Sequence, residues 1–267
     1  MPAQRVKTAL RRAGLTRRHA AAIRMCCERT ALSVAGERRP ARSRILCYHS
    51  VGTASWGVND VAPARFRSQI ETAIRAGYHF VPAELIASDE DSDERRLAIT
   101  FDDGLASVAT NAAPVLEEMG IPWTLAVVTD WADGLHEFGD GVMLDWRAIE
   151  RLAETGANIA SHSVSHPDFG RIDEQKAEAE LFESRFTIAS RIGITPSAFA
   201  IPLGQTKNWN TAAQESAERA GYLTVYAQTE DRRHPGTVAR TFVTRFDSPR
   251  IFRSALAGVF DHWEEWV

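Results

Sequence analysis

The sequence predicts an α/β fold in which parallel strands, each followed by a helix, close or nearly close into a barrel. Three observations carry that expectation. Short apolar runs and helical apolar patterns alternate about seven times along the chain. Several runs end in polar or glycine-containing stretches, such as Phe101-Asp102-Asp103-Gly104 and Ala160-Ser161-His162, which is where strand ends of such sheets carry chemistry. The length of 267 residues also suits one full-sized core of this class.

The elements follow in order. Ala, Arg and Leu dominate the arm up to Ala35, which reads as helix, and Gly36 to Ser43 reads as a charged linker containing Pro40. Ile45-Leu46-Cys47-Tyr48 is the first strand, leaving through His49 into a loop that runs past Asp60. Pro63 opens a helix with Phe66, Ile70 and Ile74 on one face, and Gly77 ends it. Tyr78 to Val81 is a short extended stretch, and the acidic run from Asp89 to Glu94 a solvated loop. The strand Leu97 to Phe101 precedes a helix from Leu105 to Met119 that contains Pro114 and closes at Gly120. Trp123 to Val128 is the next strand, after which a glycine-bearing loop leads to Asp145, the N-cap of a helix through Ile149 and Leu152. Asn158 to Ala160, Ser197 to Ile201, Leu223 to Tyr226 and Thr241 to Val243 complete the strands. Helices at Asp173 to Arg191, Thr211 to Arg219 and Ile251 to Phe260 complete the helices.

Charge is unevenly placed. The chain carries a net charge of -4, yet residues 1–43 hold eleven Arg or Lys against Glu28 and Glu37. The chain is accordingly divided into a basic N-terminal extension, 1–43, and one main unit, 44–267. The extension is either a solvated lead-in helix or a contact for an anionic membrane surface. Its apolar segments are broken by arginines, so no signal-peptide core or membrane span is expected and the location reads as cytoplasmic, with membrane association through the arm as an extension of that reading. No aromatics interleave its charges, so no nucleic-acid partner is expected. Cys26, Cys27 and Cys47 match no common metal or disulfide framework. The absence of a Gly-x-Gly-x-x-Gly or Walker-type loop argues against dinucleotide or nucleotide use.

Two constellations carry chemistry. Asp102 and Asp103 follow one strand, and His162 and His166, four residues apart, follow another, so both sets fall at the same end of a parallel sheet. One carboxylate with two neutral imidazoles makes a metal site that keeps positions for water and substrate. The other carboxylate is then free to accept a proton.

Thr100-Phe101-Asp102-Asp103-Gly104 and His162-Ser163-Val164-Ser165-His166 resemble the first two signature motifs of the polysaccharide deacetylase family, also called the NodB-homology or carbohydrate esterase family 4 group. The resemblance runs from about Ile45 to Phe246. It implies a distorted (β/α)7-type barrel of the NodB-homology kind. It further implies that Asp102 is the general base and that Asp103, His162 and His166 hold one divalent metal ion, usually Zn2+.

The third motif of that family normally brings an arginine, but Ala200-Ile201-Pro202-Leu203-Gly204 has Ala200 at its position and looks like the exopolysaccharide-type branch. Asp102 then needs another partner, and Arg240 matches a recurrent arginine of that branch. The usual terminal Leu-x-His, source of the general acid, is replaced by Val243-Thr244-Arg245-Phe246. His49, in a Tyr48-His49 pair typical of the branch, is favoured as the acid over His234. Tyr48, Pro202 and Trp209 are the expected substrate contacts. Trp209 either stacks on a sugar or pads its own loop, and Trp131 and Trp146 either flank a sugar ring or belong to the core.

The implied reaction is metal-dependent de-N-acetylation of an N-acetylhexosamine-containing glycan with release of acetate. Two other readings stand beside it. One is hydrolysis of a small or lipid-linked acylated sugar. The other is a catalytically weakened glycan-binding domain, motivated by the missing arginine and histidine.

Overall fold

Along the strand Arg96–Phe101, Leu97, Ile99 and Phe101 pack outward against the helix residues Phe66, Ile70 and Leu116, while Ala98 packs inward with Ile45, Ala126 and Tyr226. This period of two, large residues outward and small ones inward, is what a sheet curled into a barrel and wrapped by helices requires. A computed structural model describes residues 17–39, 42–90, 94–228 and 232–264. Its strands are β1 (Arg44–Tyr48), β2 (Ser50–Val51), β3 (Asp60–Val61), β4 (His79–Phe80), β5 (Arg96–Phe101), β6 (Trp123–Val127), β7 (Ala157–Ser161), β8 (Ala198–Ala200), β9 (Thr224–Tyr226) and β10 (Thr241–Phe242).

The main sheet runs β10-β1-β5-β6-β7-β8-β9 with β4 beside the start of β5, and every pairing in it is parallel. β2 and β3 form a separate ribbon. A parallel bridge between Tyr226 and Val238 ties β9 to the segment that continues into β10, which itself pairs with β1. The two ends of the sheet thus meet along residues 238–242, and the curled NodB-type (β/α)-barrel expected from the sequence is the fold observed.

The inward positions of the central strands are Ala98, Ala126, Ala160, Ala198 and Ala200. Their small volume leaves room for Ile45, Tyr226 and Val238 from the seam and for Ala83 and Ile86 from a short helix. Protein interiors tolerate few voids, so these alanines and the large seam residues are complementary.

The helices are α1 (Arg17–Ala35), α2 (Pro63–Arg75), α3 (Ala83–Ala87), α4 (Ala113–Glu118), α5 (Thr129–Ala132), α6 (Trp146–Glu154), α7 (Glu174–Ile192), α8 (Thr211–Ala220) and α9 (Pro249–Leu256). The helix expected from Leu105 to Met119 is interrupted: Val108–Ala112 winds as a wider π turn directly before α4. Pro114 lies at the start of α4, and a proline ring collides with the carbonyl four residues earlier in a regular helix.

In α1, Met25, Arg29 and Ser33 recur at helical spacing and are buried, and the helix packs on α9. Arg29 is fully buried, with Nε 2.7 Å and Nη2 2.6 Å from the two oxygens of Asp247. Its guanidinium lies 4.2 Å from the centre of the Phe260 ring. One charge of the basic arm is therefore neutralised inside the fold, and association with a membrane surface finds no support in the described residues. Residues 1–16 of the arm and Pro40 and Ala41 of the linker lie outside them. No helix among the described residues is long and apolar enough to cross a membrane.

Candidate active site

The site is built where β1, β5 and β7 end. Asp102 leaves β5 with its backbone N–H still donating to the carbonyl of Tyr48. In a strand, Asp103 would face the opposite side from Asp102. Instead Asp103 adopts φ of 75° and Gly104 φ of 78°, a left-handed pair that curls the chain and brings both carboxylates to one mouth. Asp tolerates that region better than most side chains, and Gly enters it freely.

The histidines sit on a curled loop rather than a helical turn. Ser163 and His166 both have positive φ, at 72° and 58°. Glu180 of α7 holds the loop: its Oε2 accepts from the backbone N–H groups of Val164 and Ser165 at 2.9 Å each, and its Oε1 accepts from the Ser165 hydroxyl at 2.6 Å. The Ser163 hydroxyl accepts the His166 N–H at 2.9 Å. His162 Nδ1 lies 2.8 Å from the carbonyl of Ala200. A carbonyl only accepts, so Nδ1 carries a proton and Nε2 is the ring nitrogen that faces the cleft.

The carboxylates now divide. Asp103 Oδ1 stands 3.5 Å from His162 Nε2 and 3.6 Å from His166 Nε2, while its Oδ2 accepts the indole N–H of Trp56 at 3.1 Å. Asp102 instead faces Arg240, whose Nη1 and Nη2 donate to its two oxygens at 2.6 and 2.7 Å. Arg240 also donates to Thr100 Oγ1 at 3.1 Å. Burial would push both acids up. For Asp102 the Arg240 charge reverses this and holds the carboxyl well below the usual range. For Asp103 the bond to His162 and the charges of His49 and His166 hold it to about 2. Burial, with His162 beside it, brings His166 down to about 4, a neutral imidazole at physiological pH.

One donor atom from each of Asp103, His162 and His166 lies within 4.8 Å of the others. Donors around a tetrahedral ion with bonds of about 2.0–2.2 Å stand roughly 3.3–3.6 Å apart, which matches the Asp103 distances. The set is one carboxylate and two imidazoles. Burial would lower His162, but Asp102 and Asp103 draw a proton toward it and raise it. A divalent ion would take that proton's place, so these residues fit one.

A cleft of about 600 Å3 opens over this group and is also lined by His49, Arg240, Trp56 and Trp131. His49 packs edge-on against Phe242 at 5.4 Å, and burial lowers its pKa against the opposing pull of Asp103 and Asp102. Trp131 stacks on His166 at 5.1 Å, and Phe138, beside the cleft, joins Trp131 and Trp56 edge-on at 5.0 and 4.9 Å into an aromatic wall whose tryptophans line the cleft.

The structure thus brings together Asp102, Asp103, His162, His166, His49 and Arg240. It does not bring the three expected substrate contacts to the cleft. Tyr48 points outward into the helix layer, where its hydroxyl donates to Gln69 at 3.0 Å, because position 48 has the opposite parity to Cys47 and His49. Trp209 is buried against Phe169 and Phe199 and donates its N–H to Gln214, so it pads the loop. Pro202 is buried, and it is its neighbours Ile201 and Leu203 that line the cleft. His234 lies in a different depression beside Thr211. Trp146 donates to Asp133 at 2.8 Å, and Asp145 caps α6 by accepting from the Ala148 N–H.

Two contributors escape a reading of the sequence. Trp56 gives only a faint signal, a tryptophan in the loop after the first strand. Glu180 gives a clearer one: it falls on the same helical face as Ala177, Ser184 and Ile188, an acid on an apolar stripe.

Comparison with known proteins gives one consistent answer. The polysaccharide deacetylase family profile matches residues 89–225. The chain is 24% identical to YxkH of Bacillus subtilis (strain 168) over 188 residues, which is 69% of this chain and 63% of that protein. It is 26% identical to the chitooligosaccharide deacetylase of Rhizobium leguminosarum bv. trifolii over 151 residues, 56% of this chain and 64% of the relative. The chain therefore spans less than two thirds of the length of these curated relatives. Among solved structures, the fold matches the Streptococcus pyogenes deacetylase PplD in complex with acetate at a TM-score of 0.67, with 20% identity over 81% of this chain and 99% of that one. IcaB from Ammonifex degensii matches at a TM-score of 0.67, with 22% identity over 82% of this chain and 99% of that one.

Proposed function

The chain belongs to the polysaccharide deacetylase family, and from that premise we propose that it removes acetyl groups from an N-acetylhexosamine-containing glycan, releasing acetate, with one divalent ion, Zn2+ by preference, as cofactor. The observation that supports this reading most directly is the division of the paired acids. Asp103 faces both imidazoles as a ligand would, whereas Asp102 is gripped by a guanidinium and stands farther from His162, at 4.0 Å.

In this reading Asp103, His162 and His166 hold the ion, which supplies Lewis-acid polarisation of the acetamide carbonyl and acidifies a water. Asp102 accepts the proton of the attacking water. Arg240 fixes the plane of Asp102 through two bonds and keeps it ionised, so the acceptor is ready across the working pH range. Arg240 stabilises only the carboxylate form of Asp102, so a proton taken up there is readily given away again. His49, whose donor atom lies within 4.8 Å of that of Asp102, is placed to receive it. His49 delivers it to the departing amine. The wall of Trp56, Phe138 and Trp131 offers flat apolar faces to a pyranose ring, the role expected of Trp209.

Acetate release from N-acetylglucosamine oligomers and longer N-acetylated glycans tests the reading. Release is expected with added Zn2+ or Co2+ and is lost with chelator. A protein that binds one ion stoichiometrically yet releases no acetate from any of these, while retaining affinity for them, would instead be a glycan-binding domain.

A further inference from the structure

We propose that Cys47, His49 and Asp102 form a second cation site, separate from the Asp103–His162–His166 set and selective for soft divalent ions such as Cd2+ and excess Zn2+. One donor atom from each of the three lies within 4.8 Å of the other two. Cys47 and His49 share the inward parity of β1, and the register of β1 with β5 places Cys47 opposite Thr100, so Asp102 continues the same inward row next door. Cys47 Sγ lies 3.4 Å from Asp102 Oδ2, and His49 Nδ1 is buried without a hydrogen-bond partner. A buried imidazole with a nitrogen left unpartnered, beside a thiol and a carboxylate, is a donor set in waiting.

The chemistry differs from that of the first site in one respect that decides selectivity. Thiolate sulfur favours soft ions and disfavours Mg2+ and Mn2+, and the Asp103–His162–His166 set contains no sulfur. Binding is a simple exchange: the ion enters, and the Cys47 thiol releases one proton to solvent. Burial pushes that thiol well up in the free protein, so the thiolate forms with the ion rather than before it. Arg240 occupies one lone pair on each Asp102 oxygen, and a second pair on each remains for a metal. The new thiolate charge offsets the approach of the ion to the guanidinium. Occupation would take Asp102 and His49 out of proton transfer, so the same ion that activates at one equivalent would inhibit at two. That last consequence rests on the catalytic reading above, whereas the binding itself does not.

The test is a Co2+ and Cd2+ titration of the full chain in a Cys26→Ser, Cys27→Ser background, which removes the other thiols. Two equivalents are expected, the second bringing sulfur-to-metal charge-transfer absorption. Cys47→Ser, and Cys47→Ala as a second variant checked by circular dichroism, should lose the second equivalent and the absorption while keeping the first. His162→Ala should lose the first and keep the absorption. Mn2+ should show one equivalent only. A single equivalent without sulfur absorption, or absorption that survives in a folded Cys47 variant, overturns the site. Acetate release followed along the same titration reads the inhibition separately. Absence of turnover at every metal ratio would count against the deacetylase reading and leave the spectroscopic test of Cys47 as a metal ligand unaffected.

Discussion

Asp102 and Asp103 are adjacent in sequence and nearly equal in burial, yet their closest partners differ: a guanidinium for one and two imidazoles for the other. The ligand half of the cleft is a loop structure, in which the carboxylate of Asp103 meets two imidazoles held by Glu180, Ser163 and the Ala200 carbonyl. The half proposed for proton transfer is a seam structure, in which Asp102 is gripped by an arginine 138 residues away. In the proposed mechanism one dipeptide thus serves two chemistries, because a left-handed turn at its second residue exposes each side chain to a different neighbourhood. The ligand half needs local loop geometry. The other half needs the barrel to close.

The largest effects should come from separating the two acids. Asp103→Ala is expected to lose both the bound ion and acetate release, whereas Asp102→Asn should keep one equivalent of metal and lower kcat by about 10²- to 10⁴-fold. Metal analysis beside kinetics reads both, and equal loss of metal in the two variants would erase the distinction.

Next comes Arg240→Met, which leaves a buried carboxylate without its counter-ion and should cost about 3–5 kcal/mol of stability. Burial then pushes Asp102 up instead of being overruled. The group is protonated at higher pH, so the acid limb of the kcat/KM profile should move toward neutrality while metal stoichiometry is unchanged. An unmoved acid limb would show that Arg240 does not tune Asp102.

Glu180→Gln probes the ligand half at one remove. Loss of the charge-assisted bonds to Val164 and Ser165 should cost about 1–3 kcal/mol and weaken metal affinity roughly 10- to 100-fold. Burial alone would raise Glu180, but its bonds to Ser165 and Lys176 bring it down. The depressed pKa means that its stabilisation is present at neutral pH and fades as pH falls through the folded-state value. Denaturation across acid pH should show that slope in the native protein and lack it in Glu180→Gln.

Phe138→Ala should give the smallest effect. An aromatic contact is worth about 0.5–1.5 kcal/mol, so KM for a glycan oligomer should rise several-fold with kcat little changed, and a fall in kcat alone would place the wall outside the substrate's path.

Much of the molecule is legible in the sequence because it is periodic or local. The strands, the barrel class and the two motifs follow from alternation and from polar residues at strand ends, and Asp145 as an N-cap follows from one residue before a helical pattern. Arg240 can be named as the partner of Asp102 only through family resemblance, because no local pattern joins residues 138 positions apart. Tyr48 and Trp209 depart from expectation for a physical reason. Proximity to a site in sequence is not proximity in space: strand parity turns Tyr48 outward, and an apolar pocket of Phe169 and Phe199 draws Trp209 inside. The π turn before Pro114 is foreshadowed by the proline itself.

The seam at residues 238–242 has a consequence in time. The ligand set is complete once His166 has been synthesised, but Asp102 meets its guanidinium only when Arg240 arrives, and Arg29 waits longer still for Asp247. At about 5–20 residues per second, the 138 residues from Asp102 to Arg240 keep the carboxylate without its arginine for roughly 7–28 s. The proposed ligand loop can form in that interval, whereas the proposed proton acceptor gains its partner only after the last strand closes the ring.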